Sequence, residues 1–216
     1  MPPAFNVYSV QSTFLRPVQA EGDISYRVEC TADGRSFSTR TVRATQGSSD
    51  KCIYVAIISF QRGDLPANNV LNYSISMPDM GGIRPGDISE EGVQHEDGES
   101  LRPNARDDPF DWRMLEGHSR DELTESRQLA FVRSPAVSSD NASVHLAALV
   151  YLSDTYMLAA ALNANPETIG EKIRDVAMGA SLTHNVSLHD PTARIDEWLL
   201  SERDTSWGSD GRVLVQ

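Results

Sequence analysis

The 216 residues carry 31 acidic against 19 basic side chains, a formal charge of −12 that argues against a nucleic acid or an anionic membrane as the main partner. Apolar residues make up 39%, enough for a core and too many for wholesale disorder. Cys30 and Cys52 are too few for a disulfide scaffold or a thiolate metal site. The start, Met1-Pro2-Pro3-Ala4-Phe5, has neither a basic region nor a long apolar core, so no signal peptide and an intracellular location are expected.

In chain order, residues 5–15 are rich in Phe, Val, Tyr and Leu, and Pro17 stops this first strand. Residues 24–31 alternate as a half-buried strand, Asp33-Gly34 signals a hairpin, and Ser36 to Ala44 alternates again. Ile53 to Gln61 is apolar enough to predict burial on both faces. Four meandering strands result, and residues 1–61 supply no helix to cover them. From 62 to 109, Pro, Gly, Asp, Glu and Asn dominate, with the acidic patch Ser89–Glu99 around His95; this predicts a long linker. Phe110–Leu115 reads as a strand, and Asp121 to Phe131 as helical first and a strand by Leu129–Arg133. Asn163 to Arg174 reads as a connection with a helical turn. Val176–Leu188 and Ile195–Glu202 read as strands, and Gly208–Gly211 as a turn into a last strand.

The dominant feature is the run from Val144 to Leu162, which holds no Gly or Pro and is rich in the strong helix formers Ala and Leu. Its apolar residues cover every face, predicting a buried helix over about 140–163 capped by Ser138, Ser139 or Asp140. Asp154 lies inside it. A buried charge costs several kcal/mol unless it is partnered, so Asp154 is the leading candidate for a site. The length of the run suits a membrane span, but His145 and Ser153-Asp154-Thr155 argue against one, and no span is expected.

Several local patterns together resemble the acyl-CoA thioesterase II family. In the first half they are Phe14-Leu15-Arg16-Pro17, Asp33-Gly34-Arg35-Ser36-Phe37 and Ala56-x-x-Ser59-Phe60-Gln61. In the second half they are Tyr151-Leu152-Ser153-Asp154, Ser181-Leu182-Thr183-His184, His189-Asp190-Pro191 and Asp196-Glu197-Trp198-Leu199-Leu200. The resemblance implies an α+β double hotdog, with antiparallel sheets wrapping a long central helix. Residues 1–61 would be an incomplete N-terminal hotdog with sheet only, its own helix lacking. Residues 62–109 would be the acidic linker, and 110–216 the C-terminal hotdog. The family's active site uses an Asp on the second helix, a hydroxyl on the following strand and a Gln on the last strand. Asp154 and Ser181 fall on the first two positions. The chain stops at Gln216, within the first strand of the family's closing hairpin, so the Gln has no counterpart and Gln216 is not assigned its role.

The implied function is thioester hydrolysis, with water activated by Asp154 and held by Ser181. The motif neighbours Tyr151, Ser153, Thr183 and His184 are the candidate substrate-binding residues. A carboxylate partly withdrawn from water is a better base than one in bulk, and backbone N–H groups at a helix start are the usual oxyanion donors. A hydratase would need a His shortly after Asp154, and the six positions 155–160 carry none. The alternative is a catalytically impaired or recruited hotdog protein that binds or converts an acyl or polyketide-like ligand. No cofactor and no metal are expected. The expected partners are acyl-CoA or another acyl thioester and, because the first sheet is incomplete, a second copy of the chain in a homo-oligomer. The compartment implied is cytoplasmic or peroxisomal. Arg16, Arg35, Arg40 and Arg43 form a local basic set whose ordinary role is pairing with nearby acids.

Overall fold

In the computed structural model, which describes residues 5–63, 73–88, 108–115, 124, 127–164 and 179–216, the alternating segments form nine strands. The acidic patch with His95, the start of the Asp121–Phe131 segment, most of the 163–174 connection and the first residues of the 176–188 segment lie outside the described residues. Among the described residues two α-helices and a short 3-10 turn, Pro85–Asp87, accompany the strands, and two units are distinguished.

The first unit comprises Met1–Ser74, Asp140–Asp154 and Ala180–Arg194. Strands β1 (Phe5–Phe14), β2 (Ile24–Asp33), β3 (Phe37–Gln46) and β4 (Cys52–Arg62) follow one another with no helix between them. With β7 (Thr183–Ser187) they make an antiparallel sheet in the order β2-β3-β4-β1-β7. The hairpin between β2 and β3 depends on Gly34. Its N–H donates to Phe37 O at 2.9 Å, and a Cβ there would meet that oxygen at 2.8 Å. The register sets Val42 opposite Ala56, Ala56 opposite Ser12, and Ser12 opposite His184, so these residues share one face. Ser12 and Ala56 are buried on it. Helix α1 (Ala142–Asp154) packs against β1 and β7. Arg40 pairs with Asp33 at 2.6 Å, the ordinary role of a strand arginine.

Three expectations are corrected here. Strand β2 is exposed along its whole length, because it is the sheet edge farthest from β1 and β7, where α1 packs. Strand β4 is not buried on both faces: Ile53 and Ala56 are buried, but Ile57 is 47% exposed, since among the described residues of this unit no second layer covers the outer face. Helix α1 is not buried all round either. His145, Leu146 and Leu152 are buried, whereas Val144 and Tyr151 are exposed, because only one side meets the sheet.

The second unit comprises Ile75–Ser139, Thr155–Gly179 and Ile195–Gln216. Its antiparallel sheet, in the order β5-β6-β8-β9, uses β5 (Asp111–Met114), β6 (Arg127–Arg133), β8 (Leu199–Ser209) and β9 (Arg212–Val215). Asp210 and Gly211, both with positive φ, make the two-residue turn joining β8 to β9. Helix α2 (Met157–Ala164) packs on β8 and β9, and its Ala159, Ala160, Ala161 and Leu162 are buried. The region expected as one helix is therefore two, separated where Tyr156 takes φ 60°, in the left-handed region.

A polar cluster in this unit holds that residue. The Asp108 carboxylate accepts from Tyr156 Oη at 2.7 Å, Trp112 Nε1 at 3.0 Å and the Phe110 N–H at 2.9 Å. Trp112 meets the Tyr156 ring edge-on at 5.2 Å, and the buried Arg203 lies over Trp112 while donating to the Thr155 carbonyl. Ala142–Leu162 is long and apolar enough, by composition alone, to cross a membrane. The structure interrupts it at Tyr156 and bonds its Ser153 and Asp154 to side chains of the 181–184 segment.

Candidate active site

The site forms where the C-terminal end of α1 meets the start of β7, all within the first unit. Asp154 is the last residue of α1 and is half-buried. The helix stops there because the left-handed backbone at Tyr156 cannot continue it. The opposing segment is fixed by β1: Phe14 N–H donates to Leu182 O at 3.0 Å, and Ser12 Oγ donates to His184 O at 2.8 Å. Ser181 therefore precedes a strand pinned on either side of Thr183, and its hydroxyl donates to Asp154 Oδ1 at 2.8 Å. Both members of the pair are half-buried, partly screened from bulk water.

A second bond lies beside the first. His184 Nε2 and Ser153 Oγ are 2.8 Å apart, and Ser153 Oγ also donates to the Val150 carbonyl at 2.8 Å. Of the residues singled out for substrate contact, Ser153 and His184 are thus engaged with each other, while Tyr151 and Thr183 are exposed. Sequence reading left two features unseen, the Ser153–His184 bond and the anchoring role of Ser12. The one local signal was the adjacency of Ser153 and Asp154 on the helix, set against two polar residues, Ser181 and His184, on the segment that meets it. Beyond the end of β7, the Thr192 side chain and backbone N–H both bond the Asp190 carboxylate and hold its pKa below the ordinary carboxylate value. Among the described residues, no three His, Cys, Asp or Glu side chains gather as a metal site.

Comparison with known proteins places the chain in a family. Residues 85–216 match the model of the acyl-CoA thioesterase C-terminal domain, and residues 1–61 that of the acyl-CoA thioesterase N-terminal domain. Acyl-coenzyme A thioesterase 8 of Rattus norvegicus is 28% identical over 229 residues, a match covering 97% of this chain and 66% of that protein. Acyl-CoA thioesterase 2 of Haemophilus influenzae is 24% identical, with 97% and 72% covered. Among solved structures, an acyl-CoA thioesterase II, TesB2, from Mycobacterium marinum is similar at a TM-score of 0.75 and 26% identity, over 100% of this chain and 74% of that one. A tesB protein from Mycobacterium avium shares the fold at a TM-score of 0.74 and 21% identity, with 98% and 71% covered. The chain thus spans about two thirds of the length of the rat protein. Two antiparallel sheets with a helical element, shared with hotdog-fold thioesterases, make the architecture an α+β double hotdog.

Proposed function

Because the chain belongs to the acyl-CoA thioesterase II family, we propose that it hydrolyses acyl thioesters, with Asp154 as general base and Ser181 as the residue that orients water. The observation carrying this reading is the 2.8 Å bond from Ser181 Oγ to Asp154 Oδ1. A hydroxyl has one proton and two lone pairs. With its proton given to Asp154, Ser181 meets a water as acceptor only. Among the described residues, Ser181 is the donor bonded to Asp154, so Oδ2 is left to take a proton from that water.

The step then balances. Water gives one proton to Asp154, its oxygen bonds to the thioester carbonyl carbon, and the carbonyl electrons move onto oxygen. On collapse the C–S bond breaks, and the leaving thiolate takes up the proton that Asp154 had accepted, restoring the carboxylate and yielding a carboxylic acid and a free thiol. Since Ser181 has no proton to spare, the oxyanion must be met by other donors, and backbone N–H groups are the natural ones. Tyr151 lies three residues before Asp154 on α1, and Thr183 two residues after Ser181. The helical spacing puts Tyr151 on the Asp154 side of α1, and both Tyr151 and the exposed Thr183 at the start of β7 are assigned as substrate contacts.

The substrate is acyl-CoA or another acyl thioester. A panel of acyl-CoAs of increasing chain length, assayed for free thiol, tests the reading; thiol from none of them would sink it. Self-association belongs to the same proposal. On the open edge of the first sheet, Ile24, Tyr26 and Val28 are 40%, 64% and 59% exposed and form an apolar strip on one face. Light scattering across a concentration series should report more than one chain per particle, and a monomer throughout would refute it.

A further inference from the structure

We infer that His184 is a positioning residue: its Nε2–H bond to Ser153 clips the last turn of α1 to β7 and thereby sets where Asp154 stands. The role in turnover rests on the hydrolase reading; the clip itself does not.

The direction of the bond follows from counting protons. Ser153 has one hydroxyl proton, and the 2.8 Å contact with Val150 O requires it there, because a carbonyl only accepts. Towards His184 at 2.8 Å, Ser153 Oγ is therefore the acceptor, and Nε2 must carry hydrogen. The bond accordingly survives in both the Nε2–H neutral ring and the protonated ring. A general acid or base at this position would instead have to give that proton up.

The position of His184 is itself fixed. Its carbonyl accepts from the buried Ser12, and its register places it in the row that contains Ser12 and Ala56, on the sheet's buried face. The helix end needs such an anchor. The chain goes left-handed at Tyr156, so α1 ends at Asp154, and a helix end frays where little ties it to its surroundings. Two side-chain bonds cross from this turn to the 181–184 segment, at adjacent helix positions: Ser153 to His184 and Asp154 to Ser181. Cutting the first leaves Asp154 held by its partner in the reaction alone.

Three variants test this. His184→Leu should lower kcat on the order of ten- to a hundredfold while KM stays within about twofold, since misplacing a base by a fraction of an ångström costs rate rather than binding. His184→Gln places an amide N–H near the former Nε2 and should restore most of the loss. A His184→Leu variant with wild-type kcat would overturn the inference. So would a His184→Gln variant that is as impaired as His184→Leu and lacks one limb of the pH–rate profile, because His184 would then be a proton carrier. Amide hydrogen exchange reads the clip without catalysis. In His184→Leu and Ser153→Ala the amides of Leu152 to Asp154 should exchange about fivefold faster or more, and in His184→Gln they should not. Unchanged exchange in all three would refute the clip even in an active enzyme. Faster exchange in a protein that releases no thiol would leave the clip standing and remove only the hydrolase reading.

Discussion

Asp154→Asn is the most informative perturbation, because it removes the base while keeping side-chain size and an oxygen that still accepts from Ser181. A general base contributes on the order of a hundred- to ten-thousandfold in rate. That factor corresponds to about 2.7–5.4 kcal/mol of barrier. The effect on stability is far smaller. The 2.8 Å Ser181 bond changes from charge-assisted to neutral, a difference of about 1 kcal/mol before solvent screening. Both side chains are only half-buried, so the realised cost is lower, and melting should shift by no more than about 2–4 °C. The assay is release of free thiol at saturating acyl-CoA, paired with thermal melting of the same samples. The expected result is a kcat about a thousandfold down, KM within a few-fold, and a nearly unchanged melting temperature. A variant that melts with the wild type and keeps kcat within about threefold would remove Asp154 from the chemistry.

Ser181→Ala deletes the donor to Asp154 and the acceptor for water; at half-burial its cost should be about tenfold in kcat. Combining it with Asp154→Asn should cost less than the product of the two, because the residues act as a unit. Tyr156→Phe removes the 2.7 Å bond to Asp108 while keeping the ring against Trp112, and should destabilise the second unit by about 1–2 kcal/mol. An unchanged melting temperature would mean that the bond is absent in solution. Thr192→Val deletes one of the two bonds to Asp190, so the carboxyl midpoint, followed by NMR, should rise part of the way to its ordinary value. The sign follows from the depressed folded value. The contribution to stability is present above the unfolded pKa and is lost as pH falls through the lowered folded pKa. Asp190 is exposed, so the midpoint rather than the melting temperature is the quantity to measure.

The local elements were legible because local periodicity reports them. Alternation through Ile24–Cys30 and Ser36–Ala44, with Asp33-Gly34 between, specifies a hairpin wherever it ends up. The helix formers between Val144 and Leu162 likewise specify helix. Asp154 stood out as a charge in an apolar run, whereas Ser181 was nominated only by its place in a family motif. Burial was less legible. Ile57 is apolar and sits in a strand flanked on both sides, yet it is exposed, because apolar composition says what can be buried and not whether a second layer exists.

Chain order and residue type by themselves determined the strands of the meander, the helical run and the carboxylate within it, since each depends on neighbours only a few positions away. Only the tertiary structure decided that β7 adds to β1, that Ser12 bonds a residue 172 positions later, and that the helix breaks just beyond Asp154. Pairing partners and register are selected by burial and hydrogen bonding summed over the whole sheet, and no window of sequence contains both sides of that sum.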